Sequence, residues 1–175
     1  DTMHAYIKEA LFFSKNHTLQ IQESRLDQVI VKALDLVENK LKRKKVEIIM
    51  VQLPKVSLEM DIVLIQRLIG NVVSNAIDAS PHGSQIRIEV VQLAKTEAAR
   101  DWWRIRVIDR GQGISEENLR RIFTPYFTTK DKGDHDRGFG LGLAICRKIV
   151  HLHGGSLAVT STEKKGTTVQ IDLPS

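Results

Sequence analysis

Asn71-Val-Val-Ser-Asn75-Ala-Ile-Asp78 is the stretch on which the reading of this chain turns. It lies inside a run, residues 61–79, whose apolar positions recur at helical spacing before Pro81 and Gly83 end the pattern. A spacing of four puts Asn71 and Asn75 on one helical face, so both amides can reach the same point. A neutral amide offers a carbonyl oxygen to a hard cation and an NH₂ to a phosphate oxygen. Two stacked amides therefore suit a metal-bound triphosphate better than a metal alone. Taken by itself the pair is a weak signal, because Asn pairs on helices are often just solvated or capping, so its neighbours must decide.

Three further segments follow in order. Asp109-Arg-Gly111-Gln-Gly113-Ile114 comes immediately after a strand-like run. A carboxylate at a strand end can accept a hydrogen bond from an exocyclic amine, and glycines let backbone pass close to a flat ring; the same pattern is also a common turn. Phe123-Thr-Pro-Tyr126-Phe127-Thr-Thr-Lys130 puts aromatics in a polar loop, where Phe123 and Phe127 also serve to pin the loop to the core. Gly138-Phe-Gly140-Leu141-Gly142-Leu143 runs straight into a helical pattern. Glycine-rich backbone entering a helix N-terminus can cradle phosphate, because unpaired N–H groups and the helix dipole favour anions. It is neither a Walker A loop nor a Rossmann fingerprint, lacking the Lys-Ser/Thr of the first and the βαβ setting of the second.

Outward from these segments, residues 1–14 place Met3, Ile7, Ala10 and Leu11 on a helical stripe, and the polar residues 15–24 read as a linker. Ser24 is expected to cap one long helix over residues 25–45, with Leu26, Val29, Ile30, Ala33, Leu34 and Val37 as its apolar face. Strands are expected over 46–53, 56–60, 85–93, 102–109, 156–161 and 167–173, a short helix near 115–122, and a final helix ending at Gly154 and Gly155. Helices and antiparallel strand pairs alternate without strict βαβ order. That predicts an α+β fold, a two-layer sandwich of a mixed β-sheet packed against a layer of α-helices.

Composition sets bounds. With 42% hydrophobic and 27% charged residues, 175 residues belong to a globular chain with one substantial core. No uninterrupted apolar run approaches the roughly 18 residues of a membrane span, and no signal-peptide pattern opens the chain, so the expectation is cytoplasmic. Cys146, the single cysteine, reads as a buried, inert thiol. The net charge is +5, with Lys40, Lys42, Arg43, Lys44 and Lys45 clustered. The plain reading of that cluster is a solvated helix end, with no nucleic acid required.

In order and spacing, the four segments resemble the N, G1, F and G2 boxes of sensor histidine kinase catalytic domains, members of the GHKL superfamily with its Bergerat ATP-binding fold. The resemblance covers residues 25–175, the ATP-binding catalytic domain, and residues 1–14 resemble the end of a dimerisation and histidine-phosphotransfer helix. It implies ATP and Mg²⁺ as cofactors, with Asn75 as metal ligand and Asn71 supporting the ion and phosphates. It implies Asp109 as acceptor for the adenine amine, Gly111, Gly113 and Thr167 nearby, and Ile77 and Ile114 as ring walls. Gly138, Gly140, Leu141 and Gly142 would form the lid over the phosphates. Lys130 and Arg137 would meet phosphate charge.

Many members of that family carry Lys where this chain has Asp78, which is similar to the nitrogen-regulation and dicarboxylate-sensing branch and puts the charge role on Lys130 or Arg137. Related hydrolases carry Glu at position 71. Asn71 cannot accept a proton, which favours a kinase over a GHKL-fold ATPase, an anti-sigma-type serine kinase or a nucleotide-binding regulatory module. None of the six histidines, His4, His17, His82, His135, His151 and His153, sits in a phosphoacceptor motif. The acceptor is therefore expected on a histidine-bearing hairpin outside these residues. The other implied partner is a response regulator receiver domain, and the full-length protein is expected to be a membrane-associated or soluble homodimer.

Overall fold

The computed structural model describes residues 7, 11–12, 18–93, 100–129 and 140–175. In chain order its elements are β1 (Gln22–Arg25), α1 (Leu26–Asp35), α2 (Glu38–Lys44), β2 (Glu47–Gln52), β3 (Ser57–Met60) and α3 (Ile62–Ala79), then β4 (Gln85–Gln92), β5 (Trp102–Asp109), α4 (Glu116–Leu119), α5 (Gly142–Leu152), β6 (Ser156–Thr162) and β7 (Gly166–Pro174). Strand alternation builds the sheet: Ile86, Ile88 and Val90, Ile105 and Val107, and Val169, Ile171 and Leu173 all point into the core. The five strands run β2-β4-β5-β7-β6, with β2 parallel to β4 and the other pairs antiparallel. On the open face, Arg104 holds Asp172 through two bonds of 2.8 and 2.9 Å.

Helix α3 is the centre of the second layer, packed between α1 and α5. Its length and composition would let it cross a membrane, yet Ile65, Leu68, Ile69, Val72, Val73 and Ile77 are all buried, which makes it the core helix of a globular domain. Each such side chain contributes roughly 1.5–3 kcal/mol of burial. Asp61 caps its start by accepting the Leu64 N–H at 3.1 Å. The Asp61 N–H in turn donates to His153 Nε2 at 3.1 Å, while His153 Nδ1 lies 2.8 Å from the Ile149 carbonyl at the end of α5. His153 thereby ties the end of α5 to the start of α3. Cys146 is fully buried, with its thiol 3.8 Å from the Leu68 carbonyl oxygen.

Two expectations fail between residues 15 and 45. Ser24 caps nothing: residues 22–25 form β1, paired antiparallel with β3 from Gln22↔Met60 to Arg25↔Ser57. The α1 N-terminus is closed instead by Leu26 N–H donating to the Val56 carbonyl at 2.9 Å. Nor is there one long helix. The bonds Leu36 N–H to Ala33 and Val37 N–H to Leu34 tighten the last turn of α1 to i,i+3 geometry, and α2 starts after a break at Val37, where φ is −115° and ψ 7°.

Candidate functional site

A cleft of about 1170 Å³ opens between α2, α3 and the turns that follow β5 and β6. The polar stripe of α3 forms one wall, with Asn71, Ser74, Asn75 and Asp78 all lining it. The buried stripe anchors this wall, because the packing that hides Val72 and Ala76 leaves the amides facing outward. Asn71 Nδ2 is buried and has no hydrogen-bond partner among the described residues. A buried amide donor left unpaired costs about 1–3 kcal/mol, so this atom is waiting for an acceptor.

Asp109, the last residue of β5, faces the opposite end of the cleft and is only 5% exposed. Burial pushes its carboxyl above its ordinary value of 3.8, against hydrogen bonds from the Gly111 and Thr167 N–H groups that pull the other way. The Gly111 N–H bond is 2.8 Å, and Thr167 sits across the β5–β7 ladder from Asp109. Gly111 itself is buried against the end of α3, where a Cβ would stand 2.3 Å from the Ala79 carbonyl oxygen. Gly113 lines the cleft at φ +68°, and a Cβ there would meet the Thr162 carbonyl oxygen at 2.1 Å. The Ile114 N–H is tied to Ser161 Oγ at 2.9 Å. Apolar lining comes from Ile114, Ile122, Val159 and Val169.

Of the residues expected to act together, Asn71, Asn75, Asp78, Asp109, Gly113, Ile114, Gly140, Gly142 and Thr167 line this one cleft. Gly111 and Leu141 do not. Leu141 is fully buried in the core just ahead of α5, and its carbonyl accepts the Ile145 N–H at 2.8 Å. Ile77 is likewise a core residue rather than a cleft wall. Lys130, Arg137 and Gly138, with His4 and His135, lie outside the described residues.

The basic cluster is not a solvated helix end throughout. Lys42 is exposed and paired with Glu38, but Lys40, Arg43 and Lys44 line the cleft. Lys44 donates to the carbonyls of Ile77 and Asp78 at 2.7 and 2.6 Å, satisfying the C-terminal end of α3. Lys40 sits on Asp78 at 2.6 Å. The sequence signal for these residues was the cluster's own density of charge; the break between α1 and α2 that turns it inward carries no Gly or Pro to announce it.

Known proteins resemble this chain in sequence and fold. A family model for "Histidine kinase-, DNA gyrase B-, and HSP90-like ATPase" matches residues 60–175. Sporulation kinase D of Bacillus subtilis is 39% identical over 110 residues, covering 63% of this chain and 20% of that protein. Sensor histidine kinase ZraS of Salmonella typhimurium is 32% identical over 177 aligned residues, covering 99% of this chain and 36% of that protein. The chain thus spans between a fifth and two-fifths of the length of these curated relatives. The mycobacterial sensor histidine kinase MprB superposes with a TM-score of 0.72 at 25% identity, over 88% of this chain and 97% of that one.

Proposed function

The chain belongs to the histidine kinase-, DNA gyrase B-, and HSP90-like ATPase family, and from that premise we propose that it is the ATP-binding catalytic domain of a two-component sensor histidine kinase. It moves the γ-phosphoryl group of ATP to a histidine on a dimerisation hairpin, which passes it to a response regulator receiver domain. The observation that carries this reading is the convergence of Asn71, Asn75 and Asp109 on one cleft, with an orphaned amide N–H at its polar end.

The division of labour follows from the donor chemistry. Asp109 accepts from the adenine amine, and Gly113 brings backbone close to the ring. Asn71 Nδ2 donates to a phosphate oxygen, a group that only accepts, which suits an N–H without a partner. Among the described residues no cluster of three or more His, Cys, Asp or Glu could hold a metal. Mg²⁺ characteristically binds through one or two protein ligands plus the substrate's own phosphates rather than in an all-protein cage. Asn75 would supply the amide oxygen, with Asn71 beside it. The ion's contribution when bound is to neutralise phosphate charge. The family resemblance gives Gly138, Gly140 and Gly142 the role of a lid over the phosphates, and gives Lys130 and Arg137 that of meeting phosphate charge. Phosphoryl transfer needs mainly positioning and charge neutralisation, and this set of groups provides both.

Asn71 separates this reading from hydrolysis, because an amide cannot take a proton from water. The domain acts in the cytoplasm, where ATP is available, within a homodimer. The test is Asn75→Ala, followed by ATP-analogue titration with and without Mg²⁺ and by labelled transfer to a hairpin supplied in trans. Mg²⁺-dependent binding and transfer should both fall by about a hundredfold or more. Undiminished transfer from the variant would remove Asn75 from the site.

A further inference from the structure

Lys40 reaches across from α2 onto the polar stripe of α3. Its Nζ lies 2.6 Å from Asp78 Oδ1 and donates to Ser74 Oγ at 2.8 Å. Ser74 and Asp78 are one helical turn apart, and each stands three or four residues from Asn71 or Asn75, so the ammonium shares a stripe with both amides. The side chains of Lys40 and Asp78 are each only 18% exposed, where water screens charge less than at an open surface. All four of these residues, with Lys40, line the one cleft.

We infer that Lys40 is a phosphate-binding residue of the nucleotide site and that Asp78 is the positioning residue that aims it. The inference rests on the nucleotide reading above. Left alone, the Asp78 carboxylate would repel a polyphosphate drawn to its neighbours Asn71 and Asn75. Pairing with Lys40 cancels that charge. An ammonium has three donors; Asp78 and Ser74 take two, which leaves one N–H for a phosphate oxygen. Lys44 is placed differently: its ammonium donates to the two carbonyls at the C-terminal end of α3 and not to the polar stripe that carries the amides. The positive charge that the sequence withholds from α3 at position 78 is thereby delivered from α2.

The experiment compares dissociation constants for ATP and adenosine, measured by calorimetry on the same protein. Lys40→Met keeps the apolar stem and removes the charge. It should weaken ATP about ten- to a hundredfold, the size of one hydrogen bond from a charged group, and shrink the adenosine-to-ATP ratio of dissociation constants accordingly. Moving the charge onto the helix, in the double variant Lys40→Met with Asp78→Lys, should restore most of that ratio, which a merely structural Lys40 would not allow. If Lys40→Met does not melt cooperatively, Lys40→Gln, which can still bond Ser74 and Asp78, takes its place with the same expected loss. An unchanged ratio in the variant, with wild type binding ATP normally, overturns the assignment of Lys40 alone. Wild type that binds neither compound overturns the nucleotide reading and this one with it.

Discussion

The two ends of the cleft are built by different means. Around Asp109 almost everything is settled by backbone: the carboxylate takes N–H bonds from Gly111 and Thr167, and Ser161 Oγ bonds Ile114, Gly166 and Thr167 together at 2.8–2.9 Å. Around Asn71 the wall is made of side chains on two helices, and one buried donor has no partner among the described residues. The first end is complete before a ligand arrives. The second is unfinished, and its missing acceptor is the strongest sign of what it is for. On the proposed reading, a finished pocket for the base and an unsatisfied end for the phosphates would separate recognition of the ring from the electrostatics of transfer.

After Asn75→Ala, the next largest effect should come from breaking the finished end. Asp109→Asn keeps an acceptor for the Gly111 N–H but replaces half of the carboxylate with a donor, which cannot receive the proposed adenine amine. ATP affinity should fall about ten- to a hundredfold, as for loss of a hydrogen bond to a charged group. Stability should move the other way, because burial raises the Asp109 carboxyl in the folded state above its ordinary 3.8. Between the ordinary value and the raised one, the folded protein holds more protons than the unfolded chain. Wild-type stability from this group is therefore full below the ordinary value and lost as pH rises through the folded value. The variant, which does not titrate there, should gain on wild type as pH rises from acid to neutral. Urea melts at several pH values would expose the error if the difference stayed flat.

The same contrast explains what could be read without coordinates. Helix α3 and the pairs β4–β5 and β6–β7 were legible because periods of 3.6 and 2 are local properties, and Asn71, Asn75, Asp109 and Gly113 travel with those elements. Strand β1 was not, because its partner β3 lies more than thirty residues away and nothing in a polar tetrapeptide points that far. Lys40 and Lys44 were hidden for a related reason. The apolar stripe of α1 runs on through Val37 to Leu41 as though one helix continued, whereas α2, which buries none of its own residues, is aimed by its lysines' bonds to α3. Leu141 and Ile77 were placed in the site by position in a motif, but their side chains had a stronger claim on the core.

A smaller and opposite effect is expected at the unfinished end. Asn71→Ala removes a buried donor with no acceptor and puts the best helix former into a helix interior. Nucleotide-free protein should keep its stability or gain up to about 1 kcal/mol. The stabilisation conferred by saturating Mg-ATP should shrink, since it depends on affinity for the folded state alone. Thermal melts with and without nucleotide read both quantities. A variant that is destabilised without ligand and shifted by ATP as far as wild type would mean that this amide serves the fold and not the phosphates.

The smallest effect divides two lysines that one charge cluster presents as equals. Lys44 is tied to the carbonyls of Ile77 and Asp78 at the negative end of the α3 dipole, whereas Lys40 is tied to the polar stripe itself. Lys44→Met should therefore cost about 0.3–1 kcal/mol of stability, the usual worth of a cation at a helix C-terminus. That cost should fall as salt screens the dipole. Its ratio of adenosine to ATP affinity should stay near that of wild type, in contrast to Lys40→Met. If the two variants lose ATP equally, the cluster works as an undifferentiated basic field, and the distinction between a helix cap and a phosphate ligand is lost.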